Sequence, residues 1–316
     1  RSFIQILDAR VLRRACARPP RKDEGCRRIG ELNMLLRRAD LLSLAYMVAY
    51  PGLMAWQWLN GIEWYLVVLM LVLSVGLAVV QHNHTHLRMW SSSWLNRATD
   101  LWLSVIQATP SFVFFPSHIG NHHRHKHGPE DETRTYRFGG HHNNIFGYVI
   151  HPFQALFVLP GTLLKYVKKR AKLRDFWPIV EFLSIGIVSI TLAFIDVRLW
   201  LIIVLGPQLH GLHWLLASNY LQHAGAEPGT GDEAATDGSL NFSRNFTGWM
   251  NLFWFNIGFH TAHHENGKTH WFDLRKKHED YVERVPKWLV VNSLTWYFIR
   301  VLLFQRGRNR FDSKIA

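Results

Sequence analysis

The chain has 316 residues, with 36 Lys and Arg against 23 Asp and Glu, a formal charge of +13. Almost half of it is hydrophobic, and 14 Trp and 20 Phe make it more aromatic and more basic than an ordinary soluble domain. Its basic residues flank apolar runs and form no recognised nucleic-acid-binding motif, so no nucleic-acid partner is expected. The two cysteines, Cys16 and Cys26, form neither a CxxC pair nor a disulfide framework.

Residues 1–40 read as a basic amphipathic arm on the membrane surface, and residues 41–316 as one domain. A membrane-spanning helix needs about 20 apolar residues. Residues 41–59 and 62–80 meet this and are separated only by Asn60 and Gly61, so they read as a helical hairpin, with Pro51 and Gly52 expected to kink the first helix. Residues 177–195 and 199–218 repeat the plan across Asp196, Val197 and Arg198. The expectation is an all-α integral membrane protein with four spans in two hairpins. Three weaker apolar stretches, 101–116, 145–164 and 288–304, carry prolines or polar residues and read as interfacial or re-entrant segments. The two tight turns hold one basic residue, Arg198, while the other Lys and Arg lie on the opposite side. The positive-inside rule then places both termini and the long connections in the cytoplasm, where a helical cap would hold the polar chemistry.

That chemistry lies in 19 histidines, many of them clustered. His82 and His86 end the second span. His118, His122 and His123 follow in a connection, His223 ends the fourth span, and His260, His263 and His264 lie beyond it. Helical residues three or four apart share a face, so His82 can chelate with His86, His118 with His122, and His260 with His263 or His264. The adjacent pairs His122–His123 and His263–His264 splay across neighbouring faces, so one imidazole of each can reach a second metal. Nine such histidines are too many for one four-coordinate zinc, and imidazole suits iron, copper, nickel and zinc alike. The residues alone therefore define a binuclear imidazole site at a membrane surface.

Other residues carry two readings each. His84 falls on another helical face and reads as a support for a ligand or as a solvated residue. Asp131 and Glu132 are an acidic pair that either neutralises a basic loop or holds a ligand imidazole from behind. Gln222 can steady a neighbouring histidine. His125 and His127 read first as a solvated basic loop. His210 and His213 sit at membrane depth and either line a channel or bond internally. Trp271 reads as an interfacial anchor.

HxxxH, HxxxHH and HxxHH in this order, around two apolar hairpins, resemble the membrane fatty-acid desaturase superfamily over residues 41–281. The run Asn-Tyr-Leu-Gln-His-Ala-Gly at 219–225 is similar to a box of alkane hydroxylases. Gly-Phe-His-Thr-Ala-His-His at 258–264 is desaturase-like. The resemblance implies two iron ions held by His82, His86, His118, His122, His123, His223, His260, His263 and His264. Asn219 would approach one iron directly or through water. It further implies dioxygen as co-substrate, and a fatty acid or fatty acyl chain as substrate. It implies an external electron donor of the ferredoxin, rubredoxin or cytochrome b5 type. Desaturation or hydroxylation is the expected outcome, and oxidative decarboxylation to a terminal alkene is the alternative for the same centre. A histidine-rich metal transporter is a remote third reading, because the first three spans offer almost no polar pathway.

Overall fold

The computed structural model describes residues 34–137, 143–227 and 238–304. The expected N-terminal arm lies, up to residue 33, outside the described residues. Mostly apolar runs with few charges form the long helices. These are α1 (Asp40–Asn60), α2 (Trp64–His86), α4 (Ile145–Lys172), α5 (Trp177–Ile195) and α6 (Gly206–His223), with the shorter amphipathic α3 (Ser93–Gln107) between α2 and α4. A π-helical turn, Trp200–Leu205, feeds directly into α6. Helix α1 runs unbroken through Pro51.

Trp64–His86, Trp177–Ile195, Val197–His223 and Ile145–Lys172 are long and apolar enough to cross a membrane. Three of these coincide with expected spans. The fourth contains the stretch 145–164 that reads as interfacial, with Pro152 and Pro160 inside one continuous helix of 28 residues, whereas α1, expected as a span, is not among the four. Two contacts fix how that helix lies. His151 meets Asn219 near the end of α6, and Thr162 donates to Glu132 in the connection after α3. These positions are about 16 Å apart along a helix axis, yet both touch the histidine-bearing face of the molecule.

Helices α2 and α6 make the closest packing in the membrane-embedded part. Gly211 of α6 sits against α2 and α3, where a Cβ would come within 2.8 Å of Gln107 Oε1 and 3.0 Å of the Ser74 carbonyl oxygen. Gln107 Nε2 donates to that same carbonyl at 3.0 Å. The close approach lies on the two helices that end in His86 and His223.

The end of α6 is held by a buried cation. Arg244, only 1% exposed, donates to the carbonyls of Leu221 and Ala224 at 2.7 and 3.1 Å and lies over the Tyr297 ring. The last carbonyls of a helix lack intrahelical partners and carry partial negative charge, so a guanidinium there both bonds and neutralises them. The short helix α7 (His260–Glu265) is bolted down by side chains: Thr261 N–H donates to Asn245 Oδ1 at 3.0 Å, and Asn245 Nδ2 donates to Thr261 Oγ1 at 2.7 Å. Asn245 belongs to β1 (Asn245–Phe246), which pairs in parallel with β2 (Val290–Val291). At the start of α1, buried Asp40 accepts from Trp271 Nε1 at 2.9 Å and lies 3.1 Å from His270 Nε2. Trp271 is therefore a buried clamp, and the expected interfacial anchor is corrected by its bond to a carboxylate that needs a donor.

Gly211→Ala should destabilise the protein by about 1–3 kcal/mol, the usual cost of overpacking. Melting in detergent reads this as a lower midpoint, and an unchanged midpoint would mean that α2 and α6 have room to part.

Candidate metal centre

Nine histidines converge in two groups. His82, His86, His118, His123 and His263 form one, and His122, His223, His260 and His264 the other, with ligand-capable nitrogens in each group within 4.8 Å of one another. Each adjacent pair is divided as its sequence suggests: His123 and His263 go to the first group, His122 and His264 to the second. The groups abut, since the His123 and His264 rings stack with centroids 4.3 Å apart.

One pairing differs from the helical spacing. His118 and His122 were expected to share a metal, but His118 Nε2 lies 3.1 Å from His123 Nε2, five residues on. Residues Phe114–His122 are wound as a π-helix, and His123 N–H donates to the His118 carbonyl. In that winding the repeat is i to i+5, so His118 and His123 share a face and His122 turns to the other group. Box one keeps α-helical spacing, and so does His260 with His264, whose Nε2 atoms are 3.0 Å apart.

Within each group the ring nitrogens point at one another. His82–His118, His123–His263 and His223–His260 Nε2 separations are 2.7, 3.0 and 2.9 Å. Two imidazole nitrogens bound at right angles to one ion at about 2.1 Å would stand about 3.0 Å apart. His86 Nε2 is buried without a hydrogen-bond partner among the described residues, which a bound ion would satisfy. The donor set thus fits two metal ions, and five imidazoles in one group exceed the four of a structural zinc site.

Electrostatics agree with that use. His118, His123, His260, His263 and His264 have pKa values held well below the ordinary histidine value, first by burial and then by their neighbours' charge. They stay neutral, the form that binds metal. The outward nitrogens are aimed from behind. His122 Nδ1 lies 2.6 Å from Asp131 Oδ2, and His223 Nδ1 2.8 Å from the Phe242 carbonyl oxygen. Burial would raise the Asp131 pKa. The His122 charge and hydrogen bond, the charge of His127 and the Thr133 N–H outweigh it, so the carboxyl stays ionised below its usual range.

Asn219 Nδ2 is 3.3 Å from His122 Nε2, at the edge of the second group. The remaining sequence candidates sit further out. His84 turns its ring nitrogens to the Asn96 carbonyl and Met89 N–H, away from both groups. Glu132 accepts from Thr162, and its N–H donates to Asn121. Gln222 donates to the Ile257 carbonyl at 3.1 Å and so ties α6 to the segment before His260. His127 is not a solvated loop residue. It is fully buried, with its ring stacked on His223 at 5.1 Å, because the turn at 126–128 folds the chain back under the second group. His210 bonds Ser74, whereas His213 lines a cavity. His151 and Arg244 were missed by sequence reasoning: each stands alone in its segment, with no spacing partner to flag it.

The cavity has a volume of about 760 Å³ and is walled by apolar side chains of α2, α4 and α6. His82 and His118 of the first group and His122 and His260 of the second reach its lining. Its size falls within the range of small-molecule and lipid-tail sites.

An apolar helical bundle with a two-group, all-histidine site beside a greasy cavity defines a membrane metalloprotein. The Fatty acid desaturase family profile matches residues 56–295, about three quarters of the chain. Curated proteins give no match to the chain. The chain belongs to the fatty acid desaturase family, the membrane desaturase and hydroxylase superfamily of histidine-box oxidoreductases. Membership and the four apolar helices together indicate a metal-dependent integral membrane enzyme of lipid metabolism that oxidises fatty acyl chains.

Asp131→Asn should weaken metal binding about 10- to 100-fold, as loss of a carboxylate behind a ligand imidazole does. Metal titration of the purified variant measures it, and wild-type affinity would remove Asp131 from the site. The depressed histidine values also predict acid sensitivity of the metal-free protein. Below pH about 6.5 the unfolded chain takes up protons that the folded chain refuses, so each such histidine costs about 1.4 kcal/mol per pH unit of acidification. Melting of chelated protein should therefore fall steeply from pH 7 to pH 5, and added metal should oppose the fall. A flat profile would mean that these imidazoles are solvated.

Proposed function

We propose that the protein is an oxygen-dependent di-iron enzyme that removes hydrogen from an unactivated C–H bond of a fatty acid or fatty acyl chain, giving desaturation or hydroxylation. The observation that carries this reading is the apolar cavity reaching both histidine groups at once. An acyl chain lying in it would pass beside both metals, and no other described cavity does so. The nine histidines of the two groups, with Asn219 at the edge of the second, would hold the iron ions. A bound di-iron pair supplies reductive activation of dioxygen. Desaturation consumes one dioxygen, two electrons and two protons and releases two waters. Hydroxylation uses the same inputs and places one oxygen atom in the product.

The chain's own residues do the rest. Val75, Ala78 and Val79 of α2, Leu156 and Leu159 of α4, and Leu212 and Leu216 of α6 pack the acyl chain and exclude water from the reacting carbon. Asp131, through His122, keeps a ligand ring oriented while the substrate changes. Electrons come from an external ferredoxin, rubredoxin or cytochrome b5 type donor. The basic run from Lys165 to Arg174, at the end of α4, offers an acidic donor or anionic lipid a partner.

The spans are α1, α2, α5 and the segment ending in α6, with α4 lying along the interface. Support comes from the bonds of His151 and Thr162, which tie both halves of α4 to the histidine face. With the Lys and Arg of 124–137, 165–174 and 268–284 on one side, that face is cytoplasmic.

The test is to purify the protein in detergent, count metal, and supply fatty acid or acyl thioester, reductant and oxygen, with products read by mass spectrometry. Two iron ions per chain and an oxygen-dependent unsaturated or hydroxylated product are expected. A terminal alkene one carbon shorter would assign decarboxylation. Metal flux in vesicles without any oxidised product would overturn the enzyme reading. His263→Ala and His264→Ala should each lower iron toward one per chain and abolish product, since they serve different groups. Full iron and activity in either would remove that residue from the site.

A further inference from the structure

His151 belongs to none of the four histidine clusters of the sequence, yet it is 5% exposed and stands at the second metal group. Its Nε2 lies 3.0 Å from Asn219 Oδ1. Asn219 Nδ2 in turn lies 3.3 Å from His122 Nε2, and His122 Nδ1 lies 2.6 Å from Asp131. A polar line thus runs from α4 through α6 and the π-helix to Asp131. His151 also lines the acyl cavity, and its Nδ1 is buried with no hydrogen-bond partner among the described residues. Packing alone does not call for this residue. The helix is otherwise rich in Phe and Leu at such positions, and a half-satisfied buried imidazole is costly.

Asn219 has two unlike ends. Its oxygen only accepts hydrogen bonds and its nitrogen only donates, so whichever end meets His151 leaves the other facing His122 and the second group. The choice follows from the surrounding hydrogen bonds. With its proton on Nε2, His151 takes the oxygen and leaves the NH2 inward. With its proton on Nδ1, it takes the NH2 and leaves the oxygen inward. Only the second arrangement gives the second group a fifth atom that can bind a cation, matching the five donors of the first group. An inward NH2 would instead aim a donor at the cation.

We propose that His151 is a positioning residue that fixes which end of Asn219 faces the second histidine group, and that with metal bound it holds the Asn219 oxygen inward. The proposal rests on the metal-centre reading above. Turning the amide needs only a rotation of its terminal torsion, with no backbone movement.

Cobalt(II) is a suitable probe, because its visible spectrum reports ligand number without any turnover. Metal-free full-length protein in detergent is titrated with cobalt. The wild type should fill two sites. His151→Phe keeps the packing and should leave the first site unchanged. It should weaken the second about 10- to 100-fold, the scale of a lost support behind a ligand, and alter its spectrum. His151→Gln keeps a polar end and should restore second-site affinity to within a few-fold. In an Asn219→Ala background, His151→Phe should add nothing, because both changes act on one contact. Wild-type affinity and spectrum in His151→Phe would overturn the proposal. So would a further loss in the Asn219→Ala background, or a Gln variant as weak as Asn219→Ala, which serves where the Phe variant does not fold. Cobalt uptake at neither group in the wild type would overturn the metal centre itself, and this inference with it.

Discussion

The structure depends on one constraint: nine imidazoles converge in two abutting groups inside an apolar helical bundle. Polar rings buried without partners are costly, so the arrangement holds only if the scaffold forces it. Each irregular feature near the site acts in that direction. The π-winding of 114–122 sends neighbouring histidines to different groups. Arg244 closes the end of α6 where His223 emerges. Asn245 grips Thr261 and so fixes a helix of only six residues that carries three ligand candidates.

The same constraint explains why the supports are polar where the cavity is not. Asp131 is fully buried, which a lone carboxylate does not tolerate, but it accepts from the Thr133 hydroxyl and from the N–H groups of His127 and Thr133 and faces His122. The cavity wall is mostly apolar, with Gln154 and His213 among the few polar side chains away from the two histidine groups. The apolar cavity and the two histidine groups therefore meet at four imidazoles, His82, His118, His122 and His260.

Much of this was legible in the residues. Spacing in the boxes named the nine histidines, and the doubled His-His pairs announced two groups, because adjacent residues on any helix must point apart. Helix type was less legible. An HxxxHH box reads as α-helix by default, and nothing local forces the i to i+5 winding that pairs His118 with His123. His151, Arg244 and the clamping role of Trp271 depend on partners 68, 23 and 231 residues away in the chain. Such contacts leave no periodic trace in one sequence. Helix α4 shows the opposite limit: its prolines suggest an interrupted segment, yet Ile145–Lys172 is one continuous helix whose length and hydropathy suit a span.

Ligand neutrality has a further effect. Carboxylate-rich sites cancel the charge of the ions they hold, but imidazoles do not. Two divalent cations in these groups would have few carboxylates near them among the described residues, Asp131 behind His122 and Glu132 at the cavity wall. In a low-dielectric surrounding that excess positive potential extends into the neighbouring cavity. It would favour anionic over cationic groups at the histidine end of the cavity.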